Sequence, residues 1–564
     1  MAGGLFNIVA VGANNTLIHG SAAMRGNPPK TLFKSAFAKI TNFGLQKFRL
    51  DFDGARDIRL ADDSTFTFKV KRYADLLLDA YVVVSLPDVW SPLYHPAPEN
   101  NYRWTPYEFR WVRRLGATMV RSVEISCGSQ LLHRYSGEYL QAVVDRDFSA
   151  EKKALFARMT GDVAELGDPA NAFGRTNTYP NAYVSAAPAG AEPSIRGRDL
   201  YIPVNAWFSL DSRCAFPLVA LQNAELTITV TLRPIQELFQ VRDVFDPANQ
   251  FPYIQPDFNQ EQFQMYRFLQ TPPNVRVTAG AYQNTQRTWN ADVHMLATYC
   301  FLSQAEAAVF AKESQAYLVK DVFEYNFYNI TGTTRAKLTS AGMVAGWTWF
   351  LQRNDVNMRN EWSNYTNWPY VSLPANVQIP TETLPLGVNS GVSDAAMRLT
   401  SGPAYNPDGS NTGLFVSGAF AVDNHREILE TMGVVFDGDY REGVMPRDVF
   451  DYAEKYARSA GGARGGLYCY SFALNSSSLE LQPSGAINLS AFKSVELEIS
   501  TFVPQSNPEG AFFSTICDST GAPIGVRDKP SWKLYQYNYN MTLFEERYNV
   551  VSFIGGICGM LYAR

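Results

Sequence analysis

The side chains best suited to nucleophilic, redox or metal chemistry are few and scattered. Six cysteines, Cys127, Cys214, Cys300, Cys469, Cys517 and Cys558, include no closely spaced pair, so neither a zinc ribbon nor a local disulfide framework is encoded and buried free thiols are expected. The five histidines, His19, His95, His133, His294 and His425, are equally dispersed. Without a His-x-His or His-Glu-x-x-His spacing, a cupin-type or hydrolytic metal site has no local support. Neither a Gly-x-Ser-x-Gly elbow nor a Gly-x-x-x-x-Gly-Lys phosphate loop occurs. An enzyme on a β scaffold would need distant residues to converge in a polar cleft. The expectation is a protein that is not an enzyme and uses no cofactor or metal.

Three other groups of residues could bind or be modified. Sequons stand at Asn14, Asn329, Asn364, Asn475, Asn488 and Asn540, of which Asn329, Asn364, Asn475, Asn488 and Asn540 are candidate glycan sites. A chain made in the cytoplasm would leave most of them bare. Trp347, Trp349, Trp362 and Trp368 could form a carbohydrate platform, but Gly346 to Leu351 alternates like a strand, which favours core packing for the first two. The third group is basic: Arg25, Lys30, Lys34, Lys39, Lys47 and Arg49 all precede the first acidic residue, Asp51. The first 24 residues carry no charge and suit an extended strap ordered by neighbours.

The elements that must position these residues read mainly as strands. In Thr65 to Val70 apolar side chains fall on alternate positions, and in Leu226 to Leu232 Leu, Ile and Val point one way while Thr227, Thr229 and Thr231 point the other. Val495 to Ile499 repeats that pattern, and Tyr81 to Val84 is a continuous apolar run suited to a strand covered on both faces. Helices are few: Ser303 and Glu306 form a capping box before helical spacing over Ala307 to Val319, and Ser149 precedes a second helix over Glu151 to Met159. Two such helices among strands, and similar non-strand runs after Pro217 and Pro483 leading into the Leu226 and Val495 strands, hint at a duplicated β unit. Residues 168–196, 364–413 and 461–466 read as loops, and Gln482-Pro483-Ser484-Gly485 as a structural turn. The Gln-, Pro- and Asp-rich stretch from Pro234 to Pro273 reads as a linker.

Composition sets the limits. The chain has 564 residues, 46% of them hydrophobic, 13% aromatic and only 18% charged, a balance that excludes disorder and supplies ample apolar surface for cores and subunit contacts. A net charge of −5 gives no global positive field, so direct nucleic-acid binding is not expected. The longest apolar stretches, Leu76 to Leu86 and Val550 to Tyr562, are shorter than the roughly 18 to 20 residues of a bilayer span. The start lacks the positive region of a secretory signal, which suggests cytoplasmic synthesis.

In their order along the chain, a series of short motifs resembles the double jelly-roll major capsid proteins of the nucleocytoplasmic large DNA viruses. They begin with Met1-Ala2-Gly3-Gly4-Leu5-Phe6, Gly26-Asn27-Pro28, Thr31-Leu32-Phe33-Lys34 and Thr41-Asn42-Phe43, and continue with Val123-Glu124-Ile125 and Tyr135-Ser136-Gly137-Glu138. Leu200 to Pro203, Trp207-Phe208 and Phe216 to Gln222 follow, then Tyr468 to Leu474, Gln482 to Gly485, Asn488 to Ser490, Tyr548 to Ser552 and Gly555 to Tyr562. The similarity runs nearly end to end. Departures lie in the long 168–196 and 364–413 loops and in Ser21 to Arg25, which looks inserted, so they concern the outer surface and not the cores.

The resemblance implies an all-β fold of two tandem eight-stranded antiparallel jelly rolls with a few short helices and long loops. Its expected organisation is an N-terminal arm over 1–28, a first jelly roll over 29–235, a linker over 236–273 and a second jelly roll over 274–564. It implies the major structural protein of an icosahedral capsid, forming pseudo-hexagonal homotrimeric capsomers in the outer shell of the virion, assembled in the host cytoplasm. A minor or penton-type capsid protein, or a host-attachment protein of the same architecture, stays open as the alternative. The partners implied are the chain itself, neighbouring capsomers, and minor capsid and penton proteins. The arm, through Arg25, Lys30, Lys34 and Lys39, is a candidate contact with those minor proteins or with an internal viral membrane, whose anionic lipid attracts basic residues at about 1 kcal/mol each.

Overall fold

Period-two alternation makes a strand with one dry and one wet face, and two such sheets bury their dry faces against each other. The computed structural model describes residues 3–10, 12–14, 33–35, 37–54, 57–94, 105–176, 178–180, 182, 192–222, 224–244, 252–272, 282–289, 291–368, 370–371, 402–405, 411–416, 426–503, 513–517, 523–528 and 537–562. Residues 1–43 form a unit of their own, in which Gly3–Leu5 and Phe6–Val9 are short helical turns with no buried residue. Among the described residues no helix is long and apolar enough to cross a membrane.

The first sandwich contains β1 (Phe43–Leu50), β2 (Ser64–Val70), β3 (Leu76–Ser85), β4 (Val120–Cys127), β5 (Gln130–Tyr135), β6 (Asp199–Pro203), β7 (Leu226–Leu232) and β8 (Val293–Leu302). Its two sheets have the orders β1–β8–β3–β6 and β2–β7–β4–β5, in which β7 pairs antiparallel with β2 and β4, β4 with β5, and β3 with β8 and β6. The second contains β9 (Gln315–Ile330), β10 (Thr333–Leu338), β11 (Met343–Arg353), β12 (Leu429–Phe436), β13 (Asp439–Pro446), β14 (Leu467–Ser471), β15 (Val495–Thr501) and β16 (Tyr539–Ile554). Its sheets are β9–β16–β11–β14 and β10–β15–β12–β13. Adding eight to every label of the first sandwich reproduces the second. This is a duplicated jelly roll, eight strands in two facing antiparallel sheets.

The duplication extends to a detail between strands. Phe216–Pro217 pairs with β3 and runs through the turn Leu218–Ala220 into β7, while Ile487–Asn488 pairs with β11 and runs through Leu489–Ala491 into β15. The paired helices of the sequence reading are not equivalent, however. Helices α1 (Gly137–Asp147) and α2 (Ala150–Thr160) lie between β5 and β6, and the corresponding insertion between β13 and β14 is Val449–Arg458, a π-helical turn running into an α-helix. Helix α3 (Gln304–Lys312) instead joins the two sandwiches. Ser303 caps it by accepting from the Glu306 N–H, but it stops at Lys312 and not at Val319, because residues from Gln315 onward pair with β16 along its length.

The expected domain limits also move. Val293–Leu302 was assigned to a second jelly roll starting at 274, yet it pairs with β3 over eight register positions and completes the first. Nor is 236–273 a free linker. Phe239–Arg242 pairs with Phe109–Trp111, and Phe263, Met265 and Phe268 sit in the first core at 1% exposure or less. The strand content of the first sandwich therefore ends at Leu302, and that of the second begins at Gln315.

Candidate functional site

The joint between the sandwiches is built from one face of each. In β7 the threonines point away from the first core, with Thr231 and Thr229 facing Thr65 and Thr67 of β2 at 3.4 and 3.5 Å. This outer face of β2–β7–β4–β5 turns toward the outer face of β9–β16–β11. At one end the two faces leave a cleft of about 1060 Å³ whose lining includes Arg121, Glu124, Arg134, Asn326, Gln352 and Thr542. Its arginines are already paired: Arg121 with Asp63 and Glu237, both at 3.0 Å, and Arg134 with Glu124 at 3.2 Å. Nothing in it is arranged as a nucleophile with a base.

The other end is closed by a buried ionic network that α1 delivers. Arg146 donates to both oxygens of Asp147 at 2.7 and 2.8 Å, to Glu546 of β16 at 2.8 Å and to the Thr348 hydroxyl of β11 at 3.0 Å. Tyr139, two turns earlier on α1, donates its hydroxyl to the same Glu546 at 2.8 Å. Asp147 in turn accepts from the Ser478 N–H and hydroxyl at 2.9 and 2.7 Å. Burial alone would raise the Asp147 carboxyl, but the charge and hydrogen bonds of Arg146 outweigh it and hold the group below its ordinary range. For Lys320, which donates to the Ser476 and Ser477 carbonyls, burial wins and lowers the ammonium pKa. A second bridge joins His133 of β5 to the fully buried Asp321 of β9 at 3.2 Å.

Such pairs add little net stability over apolar residues of the same shape, yet a misaligned joint would leave each charge buried and unpaired. Their physical effect is to permit one relative placement of the two sandwiches. Backbone contacts reinforce it. The Gly461 N–H donates to the Arg146 carbonyl at 2.8 Å, and a Cβ at Gly461 would lie 2.5 Å from that oxygen, which explains the glycine at the start of the Gly461–Gly466 run.

Sequence reasoning singled out none of Arg146, Asp147, Lys320 and Glu546. The available signal was the adjacent pair Glu545-Glu546, which period two splits between the faces of β16: Glu545 points to the second core, where it accepts from the Trp347 indole at 2.7 Å, and Glu546 to the joint. Of the candidate arm residues, Lys34 and Lys39 are exposed, while Arg25 and Lys30 lie outside the described residues. Among the candidate glycan sites Asn329 and Asn488 are exposed, Asn475 and Asn540 half-buried, and Asn364 buried. Asn364 donates its amide to the Trp368 carbonyl and accepts from the Thr366 hydroxyl of its own sequon at 2.6 Å, so its folded-state amide is closed to a glycosyltransferase. Trp347 and Trp349 are core residues. Trp362 bridges the joint, under Arg233 at 4.7 Å and donating to the Glu237 carbonyl, so the four tryptophans form no shared platform. Among the described residues no three of His, Cys, Asp and Glu converge as a metal site.

With this geometry in view, comparisons with known proteins bear on what the joint serves. A family model described as the major capsid protein N-terminus matches residues 31–302, the span that ends with β8. Over its whole length the chain is 22% identical to the major capsid protein of Paramecium bursaria Chlorella virus 1, covering 100% of both. These matches liken the chain to the major capsid proteins of the large DNA viruses. A solved chain of the PBCV-1 virus capsid shares the fold, with a TM-score of 0.58 and 17% identity over 95% of this chain and 100% of that one. Capsid protein 1 of Acanthamoeba polyphaga mimivirus is 28% identical over 245 residues, which span 43% of this chain and only 37% of that relative. The family model stops at β8, and the likeness of the second jelly roll to capsid proteins comes from the full-length relative, alongside its repeated strand order.

Proposed function

We propose that this protein is the main building block of an icosahedral capsid and that three copies associate around a threefold axis into a pseudo-hexagonal capsomer. One observation carries the reading. Within the chain the outer face of the first sandwich's β2–β7–β4–β5 sheet is covered by the outer face of the second sandwich's β9–β16–β11 strands. The complementary pair is left over: the outer face of β10–β15–β12–β13 on the second sandwich and of β1–β8–β3–β6 on the first. Because the sandwiches are duplicates, a second copy can repeat the internal contact head to tail, and such heterologous contacts close into rings when the rotation allows. Six sandwiches from three chains fill a hexagonal outline.

The chemistry of the free faces supports it. On the first sandwich Tyr81 lies opposite Leu296, and Val83 opposite Tyr201, with Leu45 and Tyr201 exposed. On the second, Tyr440 and Val444 are exposed beside the Arg335–Glu498 ion pair. An obligate interface of this kind buries roughly 2,000 to 5,000 Å². Native mass spectrometry should find a species three times the 63.0 kDa subunit, and Tyr201→Glu should shift it toward monomer with the fold intact. A wild-type monomer at assembly concentrations would overturn the trimer.

The arm belongs to the same proposal. Phe33, Phe37 and Ile40 are 100%, 88% and 82% exposed beside Lys34 and Lys39, an apolar and cationic mixture that suits a minor capsid protein or an anionic membrane at the inner face of the shell. Deleting residues 1–24 should leave trimers intact and impair shell assembly in the host cytoplasm; normal shells would refute it. Glycosylation, if present, belongs at exposed Asn329 or Asn488, and the intact mass of virion protein tests it.

A further inference from the structure

The C-terminal hairpin of the second sandwich reaches back to the first. Strand β16 turns at Gly555 and Gly556 into Ile557–Met560, which pairs with it. The Gln222 N–H, on the segment leading to β7, donates to the Gly556 carbonyl at 3.0 Å. Gly559 lies so close to Gln130 that a Cβ there would meet its Oε1 at 2.8 Å. Gln130 is the register partner of Cys127 across the β4–β5 turn, and Cys558 is the neighbour of Gly559. The two cysteines, more than four hundred residues apart in sequence, are thereby brought close enough for each thiol to perturb the other. Both belong to the first hydrophobic core, at 3% and 1% exposure, and both are free thiols.

We propose that Cys127 and Cys558 are a latent disulfide site that, when oxidised, staples the C-terminal hairpin of the second jelly roll to the first. The co-reactant is a disulfide oxidant, such as oxidised glutathione or a protein-bound disulfide. The Cys127 thiolate attacks one sulfur of the oxidant and expels the other as a thiol. The Cys558 thiolate then displaces the remaining oxidant sulfur from Cys127. Two protein S–H bonds are lost, one S–S bond forms, and the oxidant leaves as two thiols carrying the two electrons and two protons.

The order of attack follows from the contacts. The hydrogen bond from Cys558 holds the Cys127 thiol below its ordinary value, whereas the same contact and burial push the Cys558 thiol up. Access comes from the hairpin itself, whose outer residues Ile554, Ile557 and Leu561 are exposed, since local opening of such a segment costs less than global unfolding. Once formed, the bond closes a loop containing most of the chain, the case in which a cross-link restricts the unfolded state most.

The test uses the full-length protein, first reduced and then equilibrated with oxidised glutathione. Free thiols are alkylated with iodoacetamide in denaturant and the digest is analysed by mass spectrometry. Two fewer alkylated thiols than in the reduced control, and one linked peptide pair containing Cys127 and Cys558, are expected. That pair should vanish in Cys558→Ser and persist in Cys469→Ser, whose thiol contacts Thr348. Alkylation of all six cysteines, linkage through another cysteine, or glutathione retained on Cys127 without closure would each overturn the proposal.

Discussion

The two jelly rolls share one strand order and differ in what covers their sheets. In the second, β9–β16–β11–β14 contributes to both cores: Trp347, Trp349, Leu351, Met541 and Leu543 enter its own, while Val322, Phe350, Phe544 and Phe553 belong to the core of the first. Strand β11 accordingly reads as a nearly continuous buried run from Val344 to Leu351. In the first roll, β7 keeps strict alternation, with its threonines on the wetter side that borders the cleft. The same topology therefore serves two purposes. One sheet acts as a shared wall between two cores, and its counterpart in the first roll is left with Tyr81, Tyr201 and Leu296 at an uncovered face. The difference teaches that the fold was copied but the neighbours of each face were not.

The contrast breaks most sharply at the shared wall. Arg146→Ala would leave Asp147 and Glu546 buried without their cation, a loss of about 3–5 kcal/mol, and should separate one cooperative calorimetric transition into two as the rolls uncouple. A single transition shifted no further than that of an exposed-site variant would argue against the joint as the coupling element. Acid probes the same contact without mutation. Because the Asp147 carboxyl is lower in the fold than its ordinary 3.8, it binds fewer protons folded than unfolded. Its contribution is complete above that value and is lost as pH falls through the depressed one. Wild type should lose stability more steeply than Asp147→Asn in this window, measured by denaturant midpoints at successive pH values.

Smaller effects sharpen the comparison. Gly461→Ala forces a methyl against the Arg146 and Phe148 carbonyls, and overpacking of this kind costs about 1–3 kcal/mol, visible as a lower thermal midpoint. Arg335→Ala removes an ion pair on the uncovered face of the second roll, where the arginine is more than half exposed. A pair this open to solvent adds little to stability, so monomer stability should hardly change. A much larger loss by chemical denaturation would mean that this face is not free in the isolated chain.

Much of this architecture is legible in the residues. The alternation of Leu226–Leu232 and Val495–Thr501 recurs as the burial pattern of β7 and β15, position by position. The Ser303 capping box marks the first turn of α3 correctly, since capping is a local bond between near neighbours. Where that helix ends was not legible, because residues 315–319 have helical spacing and are drawn into β9 by a partner more than two hundred residues away. The stretch 236–273 has the composition of a linker, but Phe239, Phe263, Met265 and Phe268 within it help fill the first core. Among the site residues, the ionic joint left only the trace of two adjacent carboxylates, Glu545-Glu546, in one strand, and the proximity of Cys127 to Cys558 left none.

Sequence by itself determined the class of structure: alternation fixes which side of each strand is dry, scattered histidines and cysteines supply no local metal or nucleophile motif, and the order of short motifs carries the likeness to capsid proteins. Tertiary structure alone decided which sheet faces meet, where one roll ends and the next begins, and which buried charges find partners. The physical reason is range. Pleat, capping and turn preferences act between residues a few positions apart, whereas face-to-face burial and ion pairing depend on groups such as Arg146 and Glu546 that the chain brings together only when both jelly rolls are complete.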